Sequence, residues 1–322
     1  MKLYLNFSIF VAEHLVLHIS EELLKQGVKV SGAHSAPLRI FLSSLSIKLQ
    51  FIKRKELFMN IITSKDNEVI KNIRKLKEKK YRDINHEYIV EGIKMLKEAI
   101  VENASIKLIV ICEESIKDGV LDKKFLYEIA KYDCIYVTKK VFNLLSDVQN
   151  PQGILAVITK KDKEENIDFK QDIIVALDGI QDPGNLGTIL RTIDSVGLNQ
   201  VIVSKETADA YNPKVVRSTM GAIFRVNIIE TENLLDTLKS AKKHHYKIMG
   251  TSLENSTSIY EADLTKKIIV IGNEANGVSK EILEYADEKI KIPMLGKTES
   301  LNASVATGIV LYEYVRRKVK NK

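Results

Sequence analysis

From Asp172 onward the chain alternates short apolar runs with amphipathic stretches, and that rhythm constrains its fold more than any other feature. IIVAL, VIVS, RVNII, KIMGTSL, IIVIG and KIKIP read as strands. GNLGTILRTIDSVG, VVRSTMG, LLDTLKSAKKHH and KEILEYA read as helices between them. Short apolar runs of this kind suit strands covered on both faces, so the expectation is an α/β domain with a parallel sheet.

A looser version of the same rhythm runs upstream. EYIVEG, IKLIVIC, CIYVT and GILAVIT read as strands, and IKMLKEAIVE, FLYEIAKY and VFNLLSD as helices. They predict a smaller two- or three-layer α/β domain ending near Thr159. KKDKEENIDFK is almost wholly charged or polar and lacks periodicity, so it reads as a linker. Residues 1–58 share none of this pattern and lack the basic start and cleavage site of a secretory signal. They are expected to be an extension outside the folded protein, with a targeting or interaction segment as the alternative. The division is therefore 1–58 extension, 59–160 first domain, 161–171 linker and 172–322 second domain.

Composition enters where partners are concerned. A net charge of +7 leans towards a polyanion partner. A helix signalled from Ser64 has Val69, Ile70, Ile73 and Leu76 on one face. Lys71, Arg74, Lys75, Lys77, Lys79, Lys80 and Arg82 crowd the rest, either as a solvated surface or as a sequence-independent grip on phosphates. No run reaches the length of a membrane span, so no membrane partner is expected. Cys112 and Cys134 lie in apolar runs, as buried thiols do, and the six histidines show no metal spacing. The expectation is a cytoplasmic protein without a metal.

Three glycine-bearing loops in the second domain carry the chemistry. LDGIQDPGNLGTILR follows a strand and opens a helix, with Asn185 and Arg191 six residues apart. Its spacing is not G-x-G-x-x-G, so the dinucleotide reading fails. IVIGNEANGVS places Gly272, Asn273, Glu274 and Gly277 after a buried strand, where open α/β folds make ligand contacts. The third stretch runs from a strand, IKIP, through GKTES into a helix with Ala303, Ser304, Ala306 and Gly308. Ser300 stands where an N-cap belongs, and Leu301, Val305, Ile309, Tyr312 and Val315 share one helical face. Free N–H groups at such a helix start can hold a ligand's polar atoms. An ordinary strand–loop–helix unit with its cap is the plainer alternative for each loop taken alone. Gly296-Lys297-Thr298 imitates a phosphate-binding loop, but position 291 is lysine, so the earlier glycine is missing.

Together the three loops resemble the signature motifs of the SpoU (TrmH-type) RNA ribose 2′-O-methyltransferases of the SPOUT superfamily, over Ile173 to about Val319. Residues 59–159 look like that family's ribosomal-protein-like substrate-binding domain. The resemblance implies a C-terminal SPOUT domain with a trefoil knot, a homodimer, and S-adenosylmethionine held by backbone around Gly272, Ile292 and Leu301, with Asn273, Gly277 and Ser304 beside it. It implies that Arg191 activates and orients a ribose 2′-hydroxyl and that Asn185 holds the Arg191 loop or the RNA. Glu274, Ser300 and Asn302 would shape the pocket and order Arg191. The implied substrate is ribosomal RNA. The alternatives are a tRNA 2′-O-methyltransferase and a non-catalytic RNA-binding ribosome-assembly protein of the same fold.

Overall fold

The computed structural model describes residues 61–161 and 166–320, so the readings for 1–58 lie outside the described residues. The first half builds a four-stranded sheet from β1 (Glu87–Glu91), β2 (Ile106–Cys112), β3 (Cys134–Val137) and β4 (Ile154–Thr159), in the order β1-β4-β2-β3. β4 runs antiparallel to both β1 and β2, and β2 runs parallel to β3. Helices α1 (Glu68–Lys75), α2 (Lys79–Asn85), α3 (Ile93–Val101), α4 (Glu113–Lys117), α5 (Lys123–Ile129) and α6 (Lys139–Leu145) surround it. Along β4, Ile154, Ala156 and Ile158 join one apolar cluster while Leu155 and Val157 join another. Period-two alternation thus feeds a core on each face, and the domain has three layers.

The second half is a seven-stranded, wholly parallel sheet in the order β7-β6-β5-β10-β8-β11-β9. Its strands are β5 (Ile173–Asp178), β6 (Gln200–Ser204), β7 (Asn227–Thr231), β8 (Lys247–Thr251), β9 (Thr257–Ser258), β10 (Lys267–Gly272) and β11 (Glu288–Lys291). The helices are α7 (Pro183–Ser195), α8 (Pro213–Ser218), α9 (Leu234–Lys242), α10 (Lys280–Tyr285) and α11 (Ala303–Lys320). α9 and α10 seal one face through Leu234, Leu238 and Ile282, and α7, α8 and α11 cover the other. Gly187 lets α7 and α8 touch, because a Cβ there would lie 2.7 Å from the Val215 carbonyl oxygen.

Three expectations change. The last strand ends at Lys291, so Ile292 begins the loop. Strand β9, of two residues, has no counterpart in the sequence reading. On α11 the buried residues include Ala303, Thr307, Val310, Leu311 and Tyr314, whereas Val305 and Tyr312 are half exposed. The small residues let this helix lie close to α7, on which it packs.

The two halves are not loosely strung. One apolar cluster runs through both, from Tyr88 and Val90 to Ala210, Val216 and Phe224. Arg82 is buried at this seam, where it binds Asp209 of the second half. It is therefore not part of the basic surface to which its neighbours belong. Tyr88 meets Tyr211 at a ring separation of 4.9 Å, and Lys160 lies 4.7 Å over the Tyr211 ring.

Near the end of α11, buried Glu313 accepts hydrogen bonds from Arg316 and Arg317, each at 2.7 Å. Arg317 also donates to the Ile259 carbonyl at 2.8 Å, which fastens the helix to the segment after β9. The Arg316 and Arg317 bonds outweigh burial and hold the Glu313 carboxyl down at about 2. A depressed carboxyl contributes stability above its unfolded value of 4.5 and loses it as pH falls towards 2. Glu313→Gln should therefore destabilise at neutral pH. The gap between the urea midpoints of wild type and variant should narrow steadily from about pH 4.5 downward. A pH-independent gap would contradict this.

Candidate active site

Loops at the carboxyl ends of β5, β10 and β11 converge. From β5 the chain moves through α7 to β6, and from β10 it moves through α10 to β11, on the other side of the sheet. The crevice between neighbouring strands β5 and β10 is thus a topological switch point, where open α/β sheets bind ligands.

Asp182 caps α7 by accepting from the Asn185 N–H at 2.8 Å, with Pro183 at the first helical position. Glu274, in the loop after β10, reaches back to that helix start. Its carboxylate accepts from the Asn185 side-chain amide at 2.8 Å and from the backbone N–H groups of Gln181 and Asp182 at 3.2 and 3.3 Å. The Asn185 amide oxygen in turn accepts from the Asn302 side chain at 2.9 Å. The Asn302 oxygen accepts from the Ser304 N–H at 2.9 Å, the Ser304 hydroxyl at 2.7 Å and the Val305 N–H at 3.3 Å. One relay, Glu274–Asn185–Asn302, therefore joins all three loops. Flipping the Asn185 amide would set its NH2 against that of Asn302, so the relay also fixes its orientation. Partial burial works to raise the Glu274 carboxyl, but the Asn185, Gln181 and Asp182 donors prevail and lower it. It is an anion at neutral pH.

The cap of α11 is thus Asn302 and not Ser300, which is exposed. Glu274 and Asn302 order Asn185 in this protomer. Arg191 is exposed on α7, and its side chain makes no hydrogen bond or ion pair among the described residues. None of Glu274, Ser300 and Asn302 bonds the Arg191 side chain directly within this protomer. Gly272 is required by its own chain, since a Cβ there would fall on the backbone of Gly277 and Val278. Asn273 closes that turn by accepting from the Ala275 and Asn276 N–H groups, and it donates to the Gly179 carbonyl at 2.7 Å. Asp178, absent from the sequence reading, accepts from the Ser279 N–H at 2.7 Å and ties the first loop to the second. Only its place at a strand end could have flagged it.

Residues 292–301 make no backbone–backbone hydrogen bond among the described residues, and Leu295 to Ser300 are all exposed. Ten consecutive residues with unengaged C=O groups and, Pro293 apart, unengaged N–H groups, beside a crevice, fit a cofactor whose polar edges are read by main chain. Ile292 and Leu301, both half buried, bound this stretch. Elsewhere, exposed Arg74, Lys75, Lys79 and Lys80 form a basic patch around Tyr81, with the Lys75 and Lys80 ammonium groups 5.6 and 5.9 Å from its ring. Among the described residues no cluster of three His, Cys, Asp or Glu could hold a metal, and no helix is long and apolar enough to cross a membrane.

This fold and site define a class of methyltransferase, and the comparisons with known proteins agree. The family model for the SpoU rRNA methylase family matches residues 172–312, and that for the MRM3-like substrate binding domain matches residues 67–156. The chain is 31% identical to the 23S rRNA (guanosine(2553)-2′-O)-methyltransferase RlmP of Bacillus subtilis over 79% of its own length and 98% of that protein's. It also resembles the AdoMet-bound rRNA methyltransferase of Sinorhizobium meliloti (30% identity, TM-score 0.70, covering 80% and 98% of the two chains). A third likeness is to AviRb of Streptomyces viridochromogenes in complex with AdoMet (25% identity, TM-score 0.69, covering 79% and 98%). The chain belongs to the SpoU (TrmH-type) family of S-adenosylmethionine-dependent RNA ribose 2′-O-methyltransferases.

Proposed function

We propose that the protein methylates a ribose 2′-hydroxyl of ribosomal RNA as a homodimer in the cytoplasm. Residues 59–160 would hold the RNA and 172–322 would perform the transfer. The observation that carries this is the Glu274–Asn185–Asn302 relay, which gathers three loops around the start of the helix that carries exposed Arg191.

S-adenosylmethionine, held by the backbone of 272–277 and 292–302, supplies an electrophilic methyl group. The residues of the chain prepare the nucleophile. A ribose hydroxyl is a poor one until its proton is withdrawn, and it must be aligned as well. An arginine is too weak an acid to act as a simple base, so Arg191 orients the hydroxyl and stabilises the charge that develops there, while the proton leaves to the adjacent RNA phosphate or to water. Asn185, with both ends of its amide engaged, keeps the start of α7 rigid. Glu274 anchors that amide, and Asn302 couples it to α11. Ser300 and Ser304 line the entrance.

The homodimer is supported by the stripe of Val305, Ile309 and Tyr312 on α11. This is apolar surface that the described residues of the same protomer leave partly uncovered. Val305→Asp should yield a monomer in sedimentation, and an unshifted dimer would remove this face from the interface. The knot is supported by the route of the chain, which leaves β11 and returns to pack α11 on α7, the helix after β5. The function is tested by incubating the protein with labelled S-adenosylmethionine and unmodified ribosomal RNA, then mapping 2′-O-methyl positions. Label in transfer RNA alone would move the substrate, and no label in any RNA would favour a non-catalytic assembly protein.

A further inference from the structure

Arg225 stands at the seam between the two halves, just past the turn that follows α8, and is about one-third exposed. Its guanidinium serves three carboxylates. Nε and Nη2 donate to Asp194 at 2.9–3.1 Å, and Nη1 donates to Glu98 at 2.7 Å and Glu102 at 3.2 Å. Asp194 lies in the last turn of α7, three residues beyond Arg191. Glu98 and Glu102 are four apart on α3 and its C-cap, so they share a face of the first domain. One cation thus bridges the catalytic helix to the module expected to carry RNA. With three carboxylates against one guanidinium, loss of the cation leaves like charges facing each other across the seam. The nearby Lys161 does not offset them directly, since its ammonium donates to the Phe224 carbonyl at 2.7 Å.

We infer that Arg225 is a positioning residue for methyl transfer. Through Asp194, Glu98 and Glu102 it fixes α7 against the RNA-binding module, so that Arg191 meets the ribose of an RNA gripped elsewhere. The inference rests on the methyltransferase reading above. Arg225 is remote from the three loops that gather at the site, so its contribution is geometric. A small misplacement of a reacting group is enough to slow a reaction roughly 10²-fold.

The test uses the full chain with an unmodified 23S rRNA transcript and labelled S-adenosylmethionine. Arg225→Gln should lower single-turnover transfer by roughly 10- to 100-fold. Affinities for cofactor, by calorimetry, and for transcript, by filter binding, should stay within about twofold, because no binding group is touched. Arg225→Lys should recover part of the rate, since an ammonium can hold one or two of the carboxylates but not all three. The Glu98→Ala/Glu102→Ala pair removes only the module side of the link and leaves the Arg225–Asp194 bonds intact. It should show the same split, even if Arg225→Gln fails to fold. Unchanged transfer in that pair, or a parallel loss of cofactor affinity, would overturn the inference. A wild type that labels no ribosomal RNA refutes the underlying reading, which is a distinguishable result.

Discussion

Arg191→Ala should keep its cofactor affinity and melting temperature while losing methyl transfer by roughly 10²-fold or more, the scale of a lost positioned electrostatic or proton-transfer group. The reason for the unchanged stability is structural. Arg191 is exposed and its side chain has no hydrogen bond or ion pair among the described residues, so its removal breaks nothing that holds α7 in place. Arg191→Lys should rescue little, because an ammonium cannot reproduce the planar fork that spans a phosphate and a hydroxyl. Calorimetry, a melting curve and single-turnover methylation on one preparation would decide the matter. Normal transfer in the alanine variant would end the catalytic assignment.

The largest loss of stability is expected at Asp209. Its carboxylate receives Arg82 Nε at 2.9 Å and Nη2, while Nη1 donates to the Leu76 and Lys77 carbonyls at 2.8 and 2.7 Å. Arg82 is only 2% exposed. Asp209→Ala leaves a buried guanidinium without its counter-charge, which costs about 3–5 kcal/mol. Asp209→Asn keeps an acceptor and should cost less. Replacing both partners, as Arg82→Met with Asp209→Leu, should cost far less than Asp209→Ala alone, because no charge remains buried. Urea unfolding of the three variants gives the ranking, and a loss below about 1 kcal/mol for Asp209→Ala would show that water reaches Arg82.

Why some of this was legible beforehand follows from where each signal resides. Strands β5, β6 and β10 are buried on both faces, so each has an apolar middle, with polar residues only at its ends, and is readable from local letters. β9 has only two residues, too few to show a period. Arg82 carries the same letters as its exposed neighbours, and only Asp209, 127 residues away, makes it a buried group. Ser300 and Asn302 are both good caps two positions apart, and the docking of α11 selects the second. The stripe through Val305 and Tyr312 has helical spacing, yet the protomer buries the smaller residues Ala303 and Thr307, which let α11 approach α7 closely. The three loops are weak signals singly and specific only together. That Glu274 and Asn302 each hydrogen-bond Asn185 is a non-local fact.

That amide has a consequence for how the enzyme comes into being. Asn185 is separated from Glu274 by 89 residues and from Asn302 by 117. Its last partner begins α11, the final described element, so every strand of both sheets has been synthesised before the third loop can engage. Contacts of such sequence separation form late and slowly. A nascent chain can complete its first half and most of the parallel sheet before the relay between the three loops can close. Activity then arrives in one late step, when α11 docks, so refolding followed by burial of tryptophan-free core aromatics such as Phe125 should run ahead of recovered methyl transfer.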